Sequence, residues 1–458
     1  MKDYDKNIWT SLKEEEIKKL MDFSEKYKDF LNTAKTERLA VKEIIRQAEE
    51  KGFADFSKLD ADTIKGRKIF YNYKDKAVVL LVLGKDLQEG MNIIGSHIDS
   101  PRLDLKPEPL YEDGNLALFK THYYGGIKKY QWTTIPLALY GTMFNKEGEK
   151  IEINIGNEKD DPIFFINDLL IHLGKDQMKK TLAEGIDAEQ LNIVAGHISS
   201  DEEEKESVKK NILKLLKEKY NIDEEDFRIS ELEIVPAYEA RDVGFDRGLV
   251  AAYGQDDRVC AFTSLQAILE TENVEKTAAA LFVDKEEIGS VGNTSMNAKF
   301  FENLIAEIIS KTTDYNDLYL RRSLANSNVL SADVTVAFDP TFPEVLEKNN
   351  SAKLAHGVVL TKYTGRGGKG GSNDANGEYL NKIRQIFDEE DIIWQTGELG
   401  KVDQGGGGTI AYILAEHGAE VVDMGVAMLS MHAPLELASK ADVYMTYKAY
   451  KSFYKKMK

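Results

Sequence analysis

Four apolar runs in this chain read as buried strands, and each holds, or is soon followed by, a residue that can bind a metal ion or move a proton. They cover 91–94, 278–283, 329–338 and 420–429, and they lead to His97, Glu286 with Glu287, Asp333, and His432. Short, continuous apolar runs suit strands covered on both faces. Helical patterns separate them, so the expected fold is α/β, a sheet with helices on both faces. Ligands in such folds bind in the loops at the carboxyl ends of the strands.

A chain of 458 residues has room for two to three domains and a sizeable core. Its 42% hydrophobic and 30% charged residues suit a soluble globular protein. The net charge of −18 argues against nucleic acid or anionic membranes as partners. No apolar run is long enough to span a bilayer, and the charged first residues lack the apolar stretch of a secretory signal. One cysteine, Cys260, excludes an intrachain disulfide. The expected location is the cytoplasm.

Residues 11–50 place Leu20, Phe23, Tyr27, Phe30 and Leu31 at helical spacing, and 69–73 and 77–83 read as strands. The texture changes after Pro107. Short strands are expected at 117–119, 133–140, 151–155 and 231–237. A solvated acidic run covers 201–206, and an amphipathic helix 205–220. The α/β texture resumes beyond 240, with helices expected at 257–271, 409–416 and 434–455. The chain therefore divides into one discontinuous domain, 1–106 with 241–458, and an insertion, 107–240.

The chemistry lies at the strand ends. His97 and Asp99 alternate along extended backbone, so both point to one side, with the carboxylate placed to orient the imidazole. Asp256 and Asp257 precede a helix, and either could be a cap or a ligand. In the Glu286-Glu287 pair one residue can hold metal while its neighbour takes a proton from water. Asp333 lies in an apolar stretch, where a carboxylate needs a cation. Two histidines and at least three carboxylates, with no thiolate, suit zinc or a related divalent ion. Five ligands, one of them shared, suit two ions about 3.5 Å apart. His122, His197, His356 and His417 have no comparable setting. There is no GxSxG, and the glycine-rich stretch 365–372 lacks the order of a phosphate-binding loop. It reads as a substrate loop offering Arg366 and Lys369.

Five motifs now stand in order: 95–107 (GSHIDSPRLDLKP), Asp256-Asp257-Arg258, Glu286-Glu287-Ile288-Gly289-Ser290, Ser331-Ala332-Asp333 and Ser430-Met431-His432-Ala433-Pro434. On these the chain resembles the aspartyl aminopeptidase family of dinuclear zinc exopeptidases, which includes a vacuolar aminopeptidase. It looks closest to the bacterial branch. The resemblance implies a mixed-sheet catalytic domain and a mainly-β dimerisation domain at 107–240. Asp256 would bridge two divalent ions, zinc or alternatively cobalt or manganese. Glu287 and His432 would complete one site, His97 and Asp333 the other. Glu286 would be the general base, and Asp99 would tune His97. The family also assembles as tetrahedral dodecamers, and the stretch Leu169-Leu170-Ile171-His172-Leu173 resembles one that lends a histidine, here His172, to a neighbouring subunit's pocket.

The implied reaction releases single N-terminal residues from peptides. A metal-bridging water attacks, Glu286 takes its proton, and Arg366, Lys369 or His172 could meet an acidic substrate side chain. Two departures leave open whether acidic or neutral residues are preferred. Val336 and Asp339 stand where the family commonly has two histidines, and the loop around Lys369 differs from the usual basic loop. The competing readings are a metal-dependent amidohydrolase acting on N-acyl or carboxy-terminal bonds, and a non-catalytic assembly scaffold.

Overall fold

The computed structural model describes residues 6–64, 66–200 and 205–458, so most of the acidic run at 201–206 lies outside the described residues. The chain forms two compact units. The first comprises the residues up to Asp99, Ala240–Met431 and Glu436–Lys458; the second comprises Ser100–Glu239 and His432–Leu435.

The first unit is mixed α/β, built on a nine-stranded sheet. Its centre is four mutually parallel strands in the order Thr277–Val283, Met91–His97, Asn328–Ser331, Glu420–Gly425. Lys68–Tyr73 and Ala77–Val82 extend it antiparallel on one side, and Val358–Thr361 joins antiparallel on the other. The central strands read as unbroken apolar runs because both faces are covered. In Thr277–Val283, Ala278, Ala280 and Phe282 enter one core, and Ala279, Leu281 and Val283 enter the other.

The first core is closed by helices Glu14–Thr33, Glu37–Glu50, Gln255–Leu269, Gly377–Glu389 and Lys440–Lys456. Phe300–Thr312, Asp317–Ala325 and Ala411–Ala415 close the second. Glu14–Thr33 buries the spaced set Leu20, Phe23, Tyr27, Phe30 and Leu31, and its first turn carries three glutamates against the positive helix end. Thr36 caps the next helix by accepting the N–H of Leu39.

Three expected elements are corrected. The run 329–338 is two strands, Asn328–Ser331 and Thr335–Val336, and 420–429 is likewise Glu420–Gly425 and Ala427–Leu429. In each case the second piece joins a separate five-stranded sheet. The crossing between sheets needs close backbone approach. A Cβ on Gly425 would lie 2.0 Å from the Asp333 carbonyl oxygen. Nor is 434–455 one helix. Glu436–Ser439 pairs as a strand with Leu249–Ala252 and Ala427–Leu429, and the helix starts at Lys440.

The second unit is an all-antiparallel six-stranded sheet in the order Lys150–Ile155, Leu137–Phe144, Glu231–Pro236, Arg102–Asp113, Leu116–Tyr124, Ile193–Gly196. It opens at Ser100 because Arg102–Asp113 is one continuous strand. Pro107 and Pro109 do not end that strand. They lack ladder donors, and the register shifts between Leu105 and Leu110 to accommodate them. The two-residue turn that follows has positive φ at both Gly114 and Asn115, as a tight hairpin requires. The amphipathic helix runs Ser207–Tyr220.

Candidate metal centre

Three of the four parallel strands lead to site residues at their common carboxyl edge. His97 is the last residue of Met91–His97, still on the strand rather than beyond it, and pairs with Val283. Its Nδ1 lies 3.0 Å from the Asp99 carbonyl oxygen and 3.4 Å from Asp99 Oδ1. Nδ1–H is therefore the donor, and Nε2 turns toward three carboxylates. These are Asp256 Oδ1 at 3.2 Å, Glu286 Oε2 at 3.8 Å and Asp333 Oδ1 at 3.9 Å.

Each carboxylate is held by a local departure from regular structure. Gly254, with φ of 69°, starts the helix Gln255–Leu269, but Asp256 and Asp257 have non-helical backbone, joined by a cis peptide bond. Gln255 anchors this entry: its amide donates to the carbonyls of Val250 and Glu436, and it accepts from the Tyr27 hydroxyl at 2.9 Å. Glu436 Oε2 accepts the Asp256 N–H at 3.1 Å. Glu286 and Glu287 sit on a single turn of 3-10 helix just beyond Thr277–Val283. Their N–H groups donate to Asp99 Oδ1 at 3.1 Å and Oδ2 at 3.2 Å. Asp333 falls in the gap between its two short strands, where the Ala332 N–H bonds to the Gly95 carbonyl.

The electrostatics follow from this crowding. Burial pushes the Asp333 carboxyl well above its ordinary value, with Asp257, Glu286 and Asp256 adding to the effect against the pull of His97. Burial likewise raises Asp257, with Asp256 and Glu286 adding to the effect against the pull of His97 and Cys260. Burial opposes a charge on His97, yet its bonds to Asp256 and Asp99 and the nearby Glu286 and Asp333 hold it well above the usual histidine range. A set of buried and half-buried acids this dense calls for a cation. Ligand atoms of His97, Asp256 and Asp333 lie within 4.8 Å of one another, and Asp256 and Glu287 approach equally closely. Nitrogen and oxygen donors at this spacing fit a divalent ion such as zinc.

His432 belongs to the segment grouped with the second unit, where its Nδ1 donates to the Gly126 carbonyl at 2.8 Å. That bond leaves the lone pair on Nε2. His172 is exposed on the single turn Ile171–Leu173 of the second unit. Arg366 is exposed on the glycine-rich loop. On the same loop Lys369 pairs with Asp374 at 2.7 Å and lies over the Tyr363 ring at 3.9 Å. Gln255 and Glu436 were not legible as site residues. Glu436 falls within a stretch patterned like a helix, and only the fold carries it to Asp256.

A parallel-sheet edge bearing one imidazole among buried and half-buried carboxylates is an arrangement suited to a metal-dependent hydrolase. Residues 30–454 match the family described as aminopeptidase I zinc metalloprotease (M18). The chain is 51% identical over 458 residues to a probable M18 family aminopeptidase 1 of Clostridium acetobutylicum, covering 99% of this chain and 98% of that one. It superposes on the crystal structure of an M18 aminopeptidase from Thermotoga maritima with a TM-score of 0.95, 46% identity and full coverage of both chains. It also shares the fold of the mApe1 dodecamer of Saccharomyces cerevisiae, at 21% identity, a TM-score of 0.77, and 95% and 96% coverage. The chain belongs to the M18 family and is a metalloaminopeptidase.

Proposed function

We propose that this chain releases single residues from free peptide N-termini, using two divalent ions, most simply zinc. His97 and Asp333 would hold one ion, Glu287 and His432 the other, and Asp256 both. The observation that carries the reading is the placement of His97 Nε2 within 3.9 Å of Asp256, Glu286 and Asp333. When bound, such ions supply Lewis acidity that polarises a scissile carbonyl and acidifies water. Glu286 accepts the proton of the attacking water as the C–O bond forms, and returns it to the amine as the C–N bond breaks. Asp99 fixes the His97 tautomer and, through two N–H groups, the turn that carries Glu286.

Neutral N-terminal residues fit better than acidic ones. Lys369 already shares its charge with Asp374, and Val336 and Asp339 stand where the family resemblance implies two histidines. Self-association to a homo-oligomer, with a dodecamer as the natural candidate, is supported by the exposed Leu169, Leu170, Ile171 and Leu173, and His172 lies among them. A cytoplasmic location fits a chain whose described residues include no helix long and apolar enough to cross a membrane.

Replacing Glu286 with Gln should lower turnover on aminoacyl substrates about 10²- to 10⁴-fold with metal content unchanged. Retained turnover would sink the assignment. Cleavage of N-acetylated peptides at rates matching free ones would favour the amidohydrolase reading instead.

A further inference from the structure

We infer that Lys285 is a positioning residue for this reaction: its ammonium group clamps the turn that presents Glu286. The inference rests on the reading of Glu286 as the proton acceptor.

The turn is tight. The Lys285 carbonyl accepts the Ser290 N–H at 2.8 Å, and the Glu286 carbonyl accepts that of Gly289 at 2.8 Å. Closing it puts Lys285 in the left-handed region, with φ of 67°, a conformation that side-chain-bearing residues disfavour. A lysine there is explained by what its side chain reaches. Nζ donates to Asp284 Oδ2 at 2.6 Å and to Thr294 Oγ1 at 2.8 Å, and Thr294 Oγ1 donates to the same Asp284 oxygen at 2.7 Å. Asp284 is the buried residue just beyond the strand Thr277–Val283, and Thr294 is buried on the loop that follows the turn. The ammonium group therefore ties the start of the turn both to the strand end and to the next loop.

Space is left for this. A Cβ on Gly292 would lie 2.9 Å from Lys285 Cδ, so Gly292 admits the aliphatic stem. The loop is braced separately: Ser295 Oγ and Asn297 Nδ2 both donate to the Ser290 carbonyl, at 2.6 and 3.0 Å. With Lys285 fixed from one side, and the next two N–H groups fixed by Asp99 from the other, the backbone that presents the Glu286 carboxylate beside His97 has little freedom to shift. Small displacements of a reacting group cost rate rather than binding.

The test compares Lys285→Met, Lys285→Arg, Thr294→Val and Glu286→Gln in the metal-loaded full chain. Lys285→Met should lower kcat about 10- to 100-fold, with KM and bound metal within about twofold of the parent. Lys285→Arg should recover most of the loss, and Thr294→Val, which keeps its volume, should show a smaller loss of the same kind. In single-turnover assays Lys285→Met should cost nothing further once Glu286 is Gln, because there is no longer a base to position. Wild-type kcat in Lys285→Met, or equal losses with and without Glu286, would overturn the assignment. If Lys285→Met does not fold, Thr294→Val decides by the same criteria. An active Glu286→Gln enzyme would instead overturn the reading of Glu286 itself, so the two failures are distinguishable.

Discussion

Asp99 stands behind His97 with its Oδ1 3.4 Å from Nδ1, and the same carboxylate accepts the N–H groups of Glu286 and Glu287. One buried side chain thus sets both the direction of the imidazole and the height of the turn carrying the adjacent glutamates. Asp99→Asn should therefore damage both. An amide offers only one acceptor atom and brings an N–H₂ against donors. Metal affinity and kcat should each fall about 10- to 100-fold, read by metal analysis after dialysis and by steady-state kinetics.

Metal binding should strengthen with pH. The metal-free His97 holds its proton above the ordinary histidine range, and Asp333 holds its proton above the ordinary carboxyl range. A cation must displace those protons, so apparent affinity rises as pH increases through neutrality and falls on acidification. Calorimetric titration of the chelator-stripped protein, in two buffers of different ionisation enthalpy, should show protons released on binding. Affinity independent of pH between about 6 and 8 would contradict this.

Asp423, outside the set that faces His97, offers a stability test. It is fully buried in Glu420–Gly425, and burial raises its carboxyl to about 6 against the modest help of the Thr409 and Ser331 hydroxyls. A carboxyl raised on folding binds more protons in the native than in the unfolded chain between its two pKa values. Its contribution is thus most favourable below the unfolded value of 3.8 and is lost as pH rises through about 6. The cost above that is on the order of 3 kcal/mol. Asp423→Asn should remove this loss, so thermal unfolding curves of variant and parent should diverge from about pH 4 to 6 and run parallel above.

Gly357 tests a close approach. It has φ of +89°, and a Cβ there would lie 1.9 Å from the Ile393 carbonyl oxygen. Its N–H, with that of Ala355, also donates to the buried Asp442 at 2.7 Å. Gly357→Ala should cost roughly 2–4 kcal/mol or more, measured by urea denaturation, with kcat of the folded fraction unchanged.

Much of the site was legible because its residues follow apolar runs. His97, Glu286, Glu287 and Asp333 each lie within a few positions of a buried strand, and α/β folds bring such ends together. The choice of Asp256 over Asp257 as the residue facing the imidazole was less legible. Both precede one helix and both are buried, and the local backbone, which leaves helical geometry at both, brings the Asp256 carboxylate within 3.2 Å of His97 Nε2. The strand Glu436–Ser439 was read as helix because its apolar spacing serves either element over so short a span, and its partners Leu249–Ala252 are remote in sequence. The role of Lys285 had no local signal at all. It depends on a left-handed turn and on Thr294 nine positions away.

The sequence by itself determined the donor chemistry, the α/β texture and the family, because these reside in residue type, hydrophobic period and motif order. Tertiary structure alone decided which oxygens face Nε2, and which groups Asp99, Gln255, Glu436 and Lys285 bond to. Those outcomes depend on distances of a few tenths of an ångström between segments far apart in the chain. Periodicity places an element, but only the packed sheet and its turns set the position of an atom.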